Sequence, residues 1–214
     1  MTPVDAPDAE LLIATGCTHC PIALSALSDL LKKGRIGRLE VTNIAVRPEV
    51  AEARGARSVP WVRIGPFELT GAHTPSELAS WVERAGSDTG WQDYLSDKLA
   101  AGELETAIAA SRRDRAAREA LLVLAADLDT PFTVRIGVGA IFEDLGPEGL
   151  LADLIQPIVD TLVGSEHAQV RADAAHFLGL SGSEQAREPL RRLREDADAE
   201  VREIAQDSLR LLGS

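Results

Sequence analysis

An apolar run, Glu10-Leu11-Leu12-Ile13-Ala14-Thr15, breaks at Gly16, and Cys17-Thr18-His19-Cys20-Pro21 follows at once, ahead of a helical pattern. These are the only two cysteines in 214 residues, so every thiol of the chain lies at one strand-to-helix junction. The run before Gly16 reads as a buried strand. After the cysteines, Ile22, Ala23, Leu24, Leu27, Leu30 and Leu31 recur at helical spacing as one apolar face. Lys32 and Lys33 fall in the last turn and Gly34 ends the helix. A structural disulfide framework would need more cysteines than two.

The junction itself favours thiol chemistry. A thiolate, not a thiol, is the nucleophile in disulfide exchange, so a reactive cysteine needs its pKa lowered from about 8.5. The unpaired N–H groups and dipole of a helix N-terminus do this, and Cys17 occupies that position. Cys20 lies one turn further in, placed to attack a mixed disulfide formed at Cys17. Pro21 is tolerated because the first turn has no partner for its missing N–H. His19, when protonated, stabilises the Cys17 thiolate and makes the disulfide more oxidising.

Beyond the first helix, Leu39–Ile44 reads as a second strand and Pro48–Arg54 as a short helix closed by Gly55. Trp61–Gly65 follows Ser58-Val59-Pro60 as a third strand, and Phe67–Thr70 is a fourth after the turn at Pro66. That turn is too short for a parallel crossover, so these two strands pair antiparallel. Thr74-Pro75-Ser76-Glu77 predicts a helix start with a capping box. The order is β-α-β-α-β-β-α. The small, polar stretch 85–90 sets a domain boundary, giving one domain over 1–86 and another over 87–214.

Past the boundary the strand signals stop and a repeat begins. Val134-Arg135, Val170-Arg171 and Val201-Arg202 each open a helix, at intervals of 36 and 31 residues. Leu154, Ile155, Ile158 and Leu162 belong to one partner helix, Leu190 and Leu193 to another. Two further helical segments are expected around Trp91–Leu99 and Ala116–Leu128. Helix pairs of this kind bury their apolar faces on one another. Arg135, Arg171 and Arg202 are expected in helix-capping or inter-repeat hydrogen bonds. Trp61 and Trp81 are expected in the core, His176 packed within its helix, and the basic stretch Arg187–Arg194 solvated.

Charge separates the halves as well. Residues 1–86 carry 9 basic and 10 acidic side chains, and residues 87–214 carry 13 and 24. The acidic half argues against a nucleic-acid backbone as ligand and suits a solvated helical surface or one that meets a basic partner. Met1–Glu10 is acidic and proline-bearing, unlike a secretory signal, and no apolar run approaches a membrane span. A cytoplasmic location with no membrane partner is the expectation.

The Cys17-Thr18-His19-Cys20 motif between strand and helix, Ser58-Val59-Pro60 before the third strand, and Gly71 after the fourth resemble the thioredoxin-like superfamily over roughly residues 9–86. The Cys-x-x-Cys-Pro form and the absence of a leading strand–helix unit look closer to its small glutaredoxin-like members. The resemblance implies a mixed four-stranded sheet with helices on both faces, and a cis Pro60 facing the cysteines. It also implies that Thr18, Val59, Pro60, Gly71 and His73 surround the substrate. Gly16 stands where thioredoxins commonly carry tryptophan. Gly71-Ala72-His73-Thr74 lacks the Gly-Gly and acidic pattern that binds glutathione. The second half, most clearly over 132–212, resembles short HEAT repeats.

Two functions follow as expectations. In the first, the protein is a protein-disulfide oxidoreductase in which Cys17 attacks, Cys20 resolves and His19 tunes. A separate reductase supplies electrons and the repeats bind the partner. No cofactor is expected, since no nicotinamide or flavin fingerprint is present. In the second, it is an interaction or redox-sensing protein whose first domain is a docking module. Half of a zinc site is a weaker reading of the cysteines, because four ligands are needed and His73 is the only other nearby candidate. A transient soft-metal site and an inert pair are also open.

Overall fold

The computed structural model describes residues 6–213, so the acidic start over Met1–Asp5 lies outside the described residues. The chain divides into two compact units, Met1–Gly90 and Trp91–Ser214.

The first unit runs β1 (Ala9–Ile13), α1 (Cys20–Lys32), β2 (Leu39–Asn43), α2 (Pro48–Arg54), β3 (Trp61–Ile64), β4 (Phe67–Thr70) and α3 (Pro75–Ala85). The sheet order is β2-β1-β3-β4. β1 pairs with β2 in parallel, while β1–β3 and β3–β4 are antiparallel. Leu11 sits opposite both Val41 and Val62, which fixes the register of the three strands. Successive strand residues point to opposite faces. Leu11 and Leu12 are both fully buried, so both faces of β1 are covered.

Glu10 is the exception in this apolar strand: a carboxylate buried in β1. Arg54 Nε donates to both of its oxygens at 3.0 Å, and Arg63 Nη2 donates to Oε2 at 2.6 Å. A buried carboxylate without such partners would cost several kcal/mol. The pair of arginines therefore ties α2 and β3 to the central strand. α3 opens as the capping pattern requires. Glu77 N–H donates to Thr74 Oγ1, and Thr74 N–H donates to Glu77 Oε2 at 2.7 Å. These bonds hold the Glu77 carboxyl below its usual range.

The second unit is helical: α4 (Gly90–Ala100), α5 (Leu104–Arg113), α6 (Arg115–Ala126), α7 (Phe132–Leu145), α8 (Ile155–Ile158), α9 (Ala168–Leu180), α10 (Arg187–Leu193) and α11 (Ala199–Leu211). Leu104–Arg113 is a helix that the apolar pattern alone does not predict. The partner helix expected to carry Leu154, Ile155, Ile158 and Leu162 is not continuous: residues 146–163 form a broken path of 3-10 turns, α8 and a π-helical stretch over Val159–Val163. Gly146-Pro147 and Pro157 account for the breaks, since proline removes an N–H donor and clashes with the preceding turn. Leu154, Ile155, Ile158 and Leu162 are nonetheless all buried.

One device recurs through this unit. The fourth residue of α6, α7, α9 and α11 is an arginine, at 118, 135, 171 and 202. Each reaches back to carbonyls at or after the end of the preceding helical segment. Arg118 Nη1 donates to Ser111 O, Arg135 Nη1 to Ala125 O, Arg171 Nη1 to Ser165 O, and Arg202 Nη1 to Asp196 O. These bonds satisfy orphan carbonyls at helix ends. Three of the arginines also pair with an aspartate: Arg118 with Asp153, Arg135 with Asp173, and Arg171 through both Nε and Nη2 with Asp196. The expected capping role of Arg135, Arg171 and Arg202 thus has a specific geometry. α9 and α11 pack so closely that a Cβ on Gly179 would meet Ser208 Cβ at 2.7 Å.

Candidate functional site

The site is built where β1 hands over to α1. Cys17 N–H donates to Ala14 O at 3.2 Å, closing a turn whose third residue, Gly16, has φ +84°. That backbone conformation favours glycine, which explains Gly16 where a larger residue would be strained. The turn delivers Cys17 to the end of α1, whose N-cap is His19. Cys20 is the first helical residue, and its backbone N–H donates to Cys17 Sγ at 3.2 Å. A free N–H of the first helical turn therefore points at the sulfur, as stabilisation of a thiolate demands.

Cys17 and Cys20 are joined by a disulfide, with Cα atoms 5.5 Å apart. Their exposures differ. Cys17 is half-buried and Cys20 is 4% exposed. An incoming disulfide can reach the first sulfur and not the second. Thr18 and His19 are exposed between them, and the His19 side chain makes no capping bond. His19 is thus free to meet solvent or a substrate.

Val59 and Pro60 precede β3, Val59 half-buried and Pro60 buried, and the peptide bond between them is cis. Gly71, at φ +91°, donates its N–H to Pro60 O at 3.0 Å, which ties the loop after β4 to the loop before β3. His73 is one-fifth exposed, and its Nε2 is buried without a hydrogen-bond partner among the described residues. Its Nδ1 is 3.9 Å from Glu77 Oε2, too far for a hydrogen bond.

An open apolar groove of about 470 Å³ borders the motif. Pro21 and Ile22 form one end, Lys33 lies along it, and Pro75 and Ala79 of α3 form the other wall. The start of α3, two residues after His73, is thereby brought to the start of α1. The helical spacing assigns Ile22 to the buried face of α1, but it is 49% exposed and lines this groove. Ala26 takes a core position instead. Both residues line the groove, so which of them is covered depends on what the rest of the fold packs against α1, and that is not a local signal.

In the second unit, His176 is not packed as expected. It is half-exposed, with Nε2 3.6 Å from Glu143 Oε1. Trp61 and Trp81 are buried, as expected. Arg191, Arg192 and Arg194 are exposed, whereas Arg187 donates to Leu212 O at 2.7 Å. Among the described residues, no three His, Cys, Asp or Glu side chains gather in a group able to hold a metal ion. Nor is any described helix long and apolar enough to cross a membrane.

The fold and site define a class: an α/β unit with a Cys-x-x-Cys disulfide at a helix N-terminus, followed by a helical unit. No protein-family model and no curated protein matches the chain.

Proposed function

We propose that the protein is a thiol–disulfide oxidoreductase acting on protein disulfides, with a thioredoxin-like first unit and HEAT-like helices that bind the partner. The observation that carries this reading is the Cys20 N–H directed at Cys17 Sγ from the first turn of α1, with Cys17 accessible and Cys20 buried.

The reaction starts from the reduced pair. The Cys17 thiolate attacks one sulfur of a substrate disulfide. A Cys17–substrate disulfide forms, the substrate S–S bond breaks, and the departing thiolate takes a proton from solvent. Cys20 then loses its proton and attacks Cys17 Sγ. The protein disulfide forms and the second substrate thiol leaves. The substrate gains two electrons and the protein loses two. A separate dithiol reductase returns the pair to the reduced form.

Each remaining residue has a role in this scheme. The helix N-terminus stabilises the Cys17 thiolate whenever it forms or leaves. His19 in its protonated form adds to that stabilisation. Val59, Pro60 and Gly71 form a backbone-rich edge against which an extended substrate segment lies, with Thr18 and His73 flanking it. The acidic helical unit supplies an extended surface for recruitment.

The test is turnover on a model protein disulfide with a dithiol regenerating system. Wild type is expected to be active, Cys17→Ser inactive, and Cys20→Ser to accumulate a mixed disulfide with the substrate. A wild type that performs no better than Cys17→Ser overturns the proposal.

A further inference from the structure

Two of the three most exposed large apolar side chains described in the second unit lie together on α7, the third being Leu211 on α11. Phe132, 75% exposed, and Ile136, 57% exposed, lie one turn apart on α7. Both line a groove of about 220 Å³ between α7 and α9. Glu143 borders it from α7, and Asp173 and His176 from α9. The stacked Phe142 and Phe177 rings, with centroids 4.0 Å apart, lie where these two helices meet.

Gly139 of α7 lines the same groove. A glycine inside a helix weakens it, and normally a neighbouring element explains its presence. Gly137, two residues earlier, has that explanation: a Cβ there would collide with Leu99. Gly139 has none, because a Cβ there would meet nothing within 4 Å. Gly139 therefore leaves its stretch of the groove wall without a side chain where there is space for one.

The groove's charge selects its occupant. Among the described residues, Arg135 is the only permanently cationic side chain lining it, and its guanidinium is engaged by Asp173 Oδ2, Ala125 O and Asp127 O. Glu143 remains 65% exposed, with His176 beside it. The surrounding unit, residues 91–214, carries 13 basic and 23 acidic side chains. Such a field draws basic segments and repels acidic ones.

We propose that the α7–α9 groove docks a basic polypeptide segment of a partner protein. An aromatic or aliphatic side chain of that segment enters between Phe132 and Ile136. A neighbouring Lys or Arg meets Glu143 and Asp173, and the segment's backbone passes over Gly139. This rests on reading the second unit as the partner-binding scaffold, and it names the face and the chemistry.

The test pans a phage-displayed library of random 12-residue peptides on the full-length protein, then measures synthesised peptides by fluorescence anisotropy. Enriched peptides are expected to combine Lys or Arg with an aromatic or aliphatic residue, and to bind more weakly as salt rises. Gly139→Leu fills the open wall with a good helix former, and Glu143→Lys reverses the exposed charge. Each is expected to weaken binding at least tenfold, whereas Cys17→Ser binds like wild type. Because Glu143 is a surface residue, its variant keeps the test decisive if Gly139→Leu fails to fold.

Enrichment of acidic or uncharged peptides, no enrichment, or binding unchanged in Glu143→Lys overturns the proposal. So does occupation of the groove by a second copy of the chain, seen as a concentration-dependent dimer that Glu143→Lys dissolves. The two readings fail separately. Peptide binding without disulfide turnover removes only the oxidoreductase; turnover with no peptide bound removes only the docking groove.

Discussion

The two units of this chain use their sequences in opposite ways. In the first, the candidate site rests on parts that are not repeated along the chain: the Cys17–Cys20 pair, the Cys20 N–H and the Gly16 turn. In the second, a single device is repeated, with an arginine at the fourth position of α6, α7, α9 and α11. A site made of unique parts is lost with any one of them. A scaffold of repeated parts loses stability in increments, in proportion to how deeply each copy is buried.

The largest expected effect is at the unique part. Cys17→Ser is expected to reduce disulfide turnover to background while leaving the denaturation midpoint of the reduced protein unchanged. A large loss of stability in that variant would break the contrast, because it would make Cys17 a structural residue.

Next comes the copy of the repeated device whose aspartate is best buried. Arg171 donates twice to Asp196 and also to Ser165 O and Glu166 O. Arg171→Ala is expected to lower unfolding free energy by about 3 kcal/mol, since it leaves a largely buried carboxylate with the Asp198 N–H but no cation, and takes a donor from two carbonyls. Urea denaturation measures it. Arg202→Ala, which loses only carbonyl bonds among those of the described residues, is expected to cost about 1 kcal/mol.

The copies also differ in the sign of their pH dependence. Hydrogen bonds from Arg171 hold the Asp196 carboxyl below its ordinary range. Its contribution to stability is therefore full above about pH 4 and lost as pH falls through its lowered folded pKa. Burial raises the Asp173 carboxyl, against the pull of Arg135 and His176. Its contribution is full below about pH 4 and lost as pH rises through its raised folded pKa. Unfolding free energy measured across pH is expected to show this. Asp196→Asn flattens the fall at the acid end, and Asp173→Asn flattens the opposite slope on the neutral side.

Smaller effects come from residues that tune rather than build. His19→Ala is expected to lower the reduction potential of the pair by about 30 mV, and wild type is expected above about −270 mV. Gly139→Ala is expected to raise stability by about 1 kcal/mol, as a helix-interior glycine with open space around it should. A destabilising Gly139→Ala would mean that the position has an internal packing role.

The contrast also explains what could be read in advance. Thr74 and Glu77 are a local pattern, and their capping box forms as the spacing requires. The Cys17–Cys20 junction is local too: a strand, a glycine turn and a helix start within a dozen residues. The Val-Arg openings were visible because they recur. Non-local facts were not visible. Whether Ile22 or Ala26 is buried depends on what faces α1. The broken path through residues 146–163 keeps its apolar spacing while prolines change the backbone beneath it. Phe132 reads as a core residue in any helical pattern, and only its 75% exposure marks the groove.

The central claim is that the α1 N-terminus activates Cys17 and leaves Cys20 shielded. The direct measurement is the pH dependence of alkylation of the reduced protein by iodoacetamide, resolved by cysteine with mass spectrometry. The expected result is rapid modification of Cys17 with an apparent pKa clearly below about 8.5, and slow modification of Cys20 throughout. Equal reactivity of the two cysteines, both with an ordinary thiol pKa, would contradict the account.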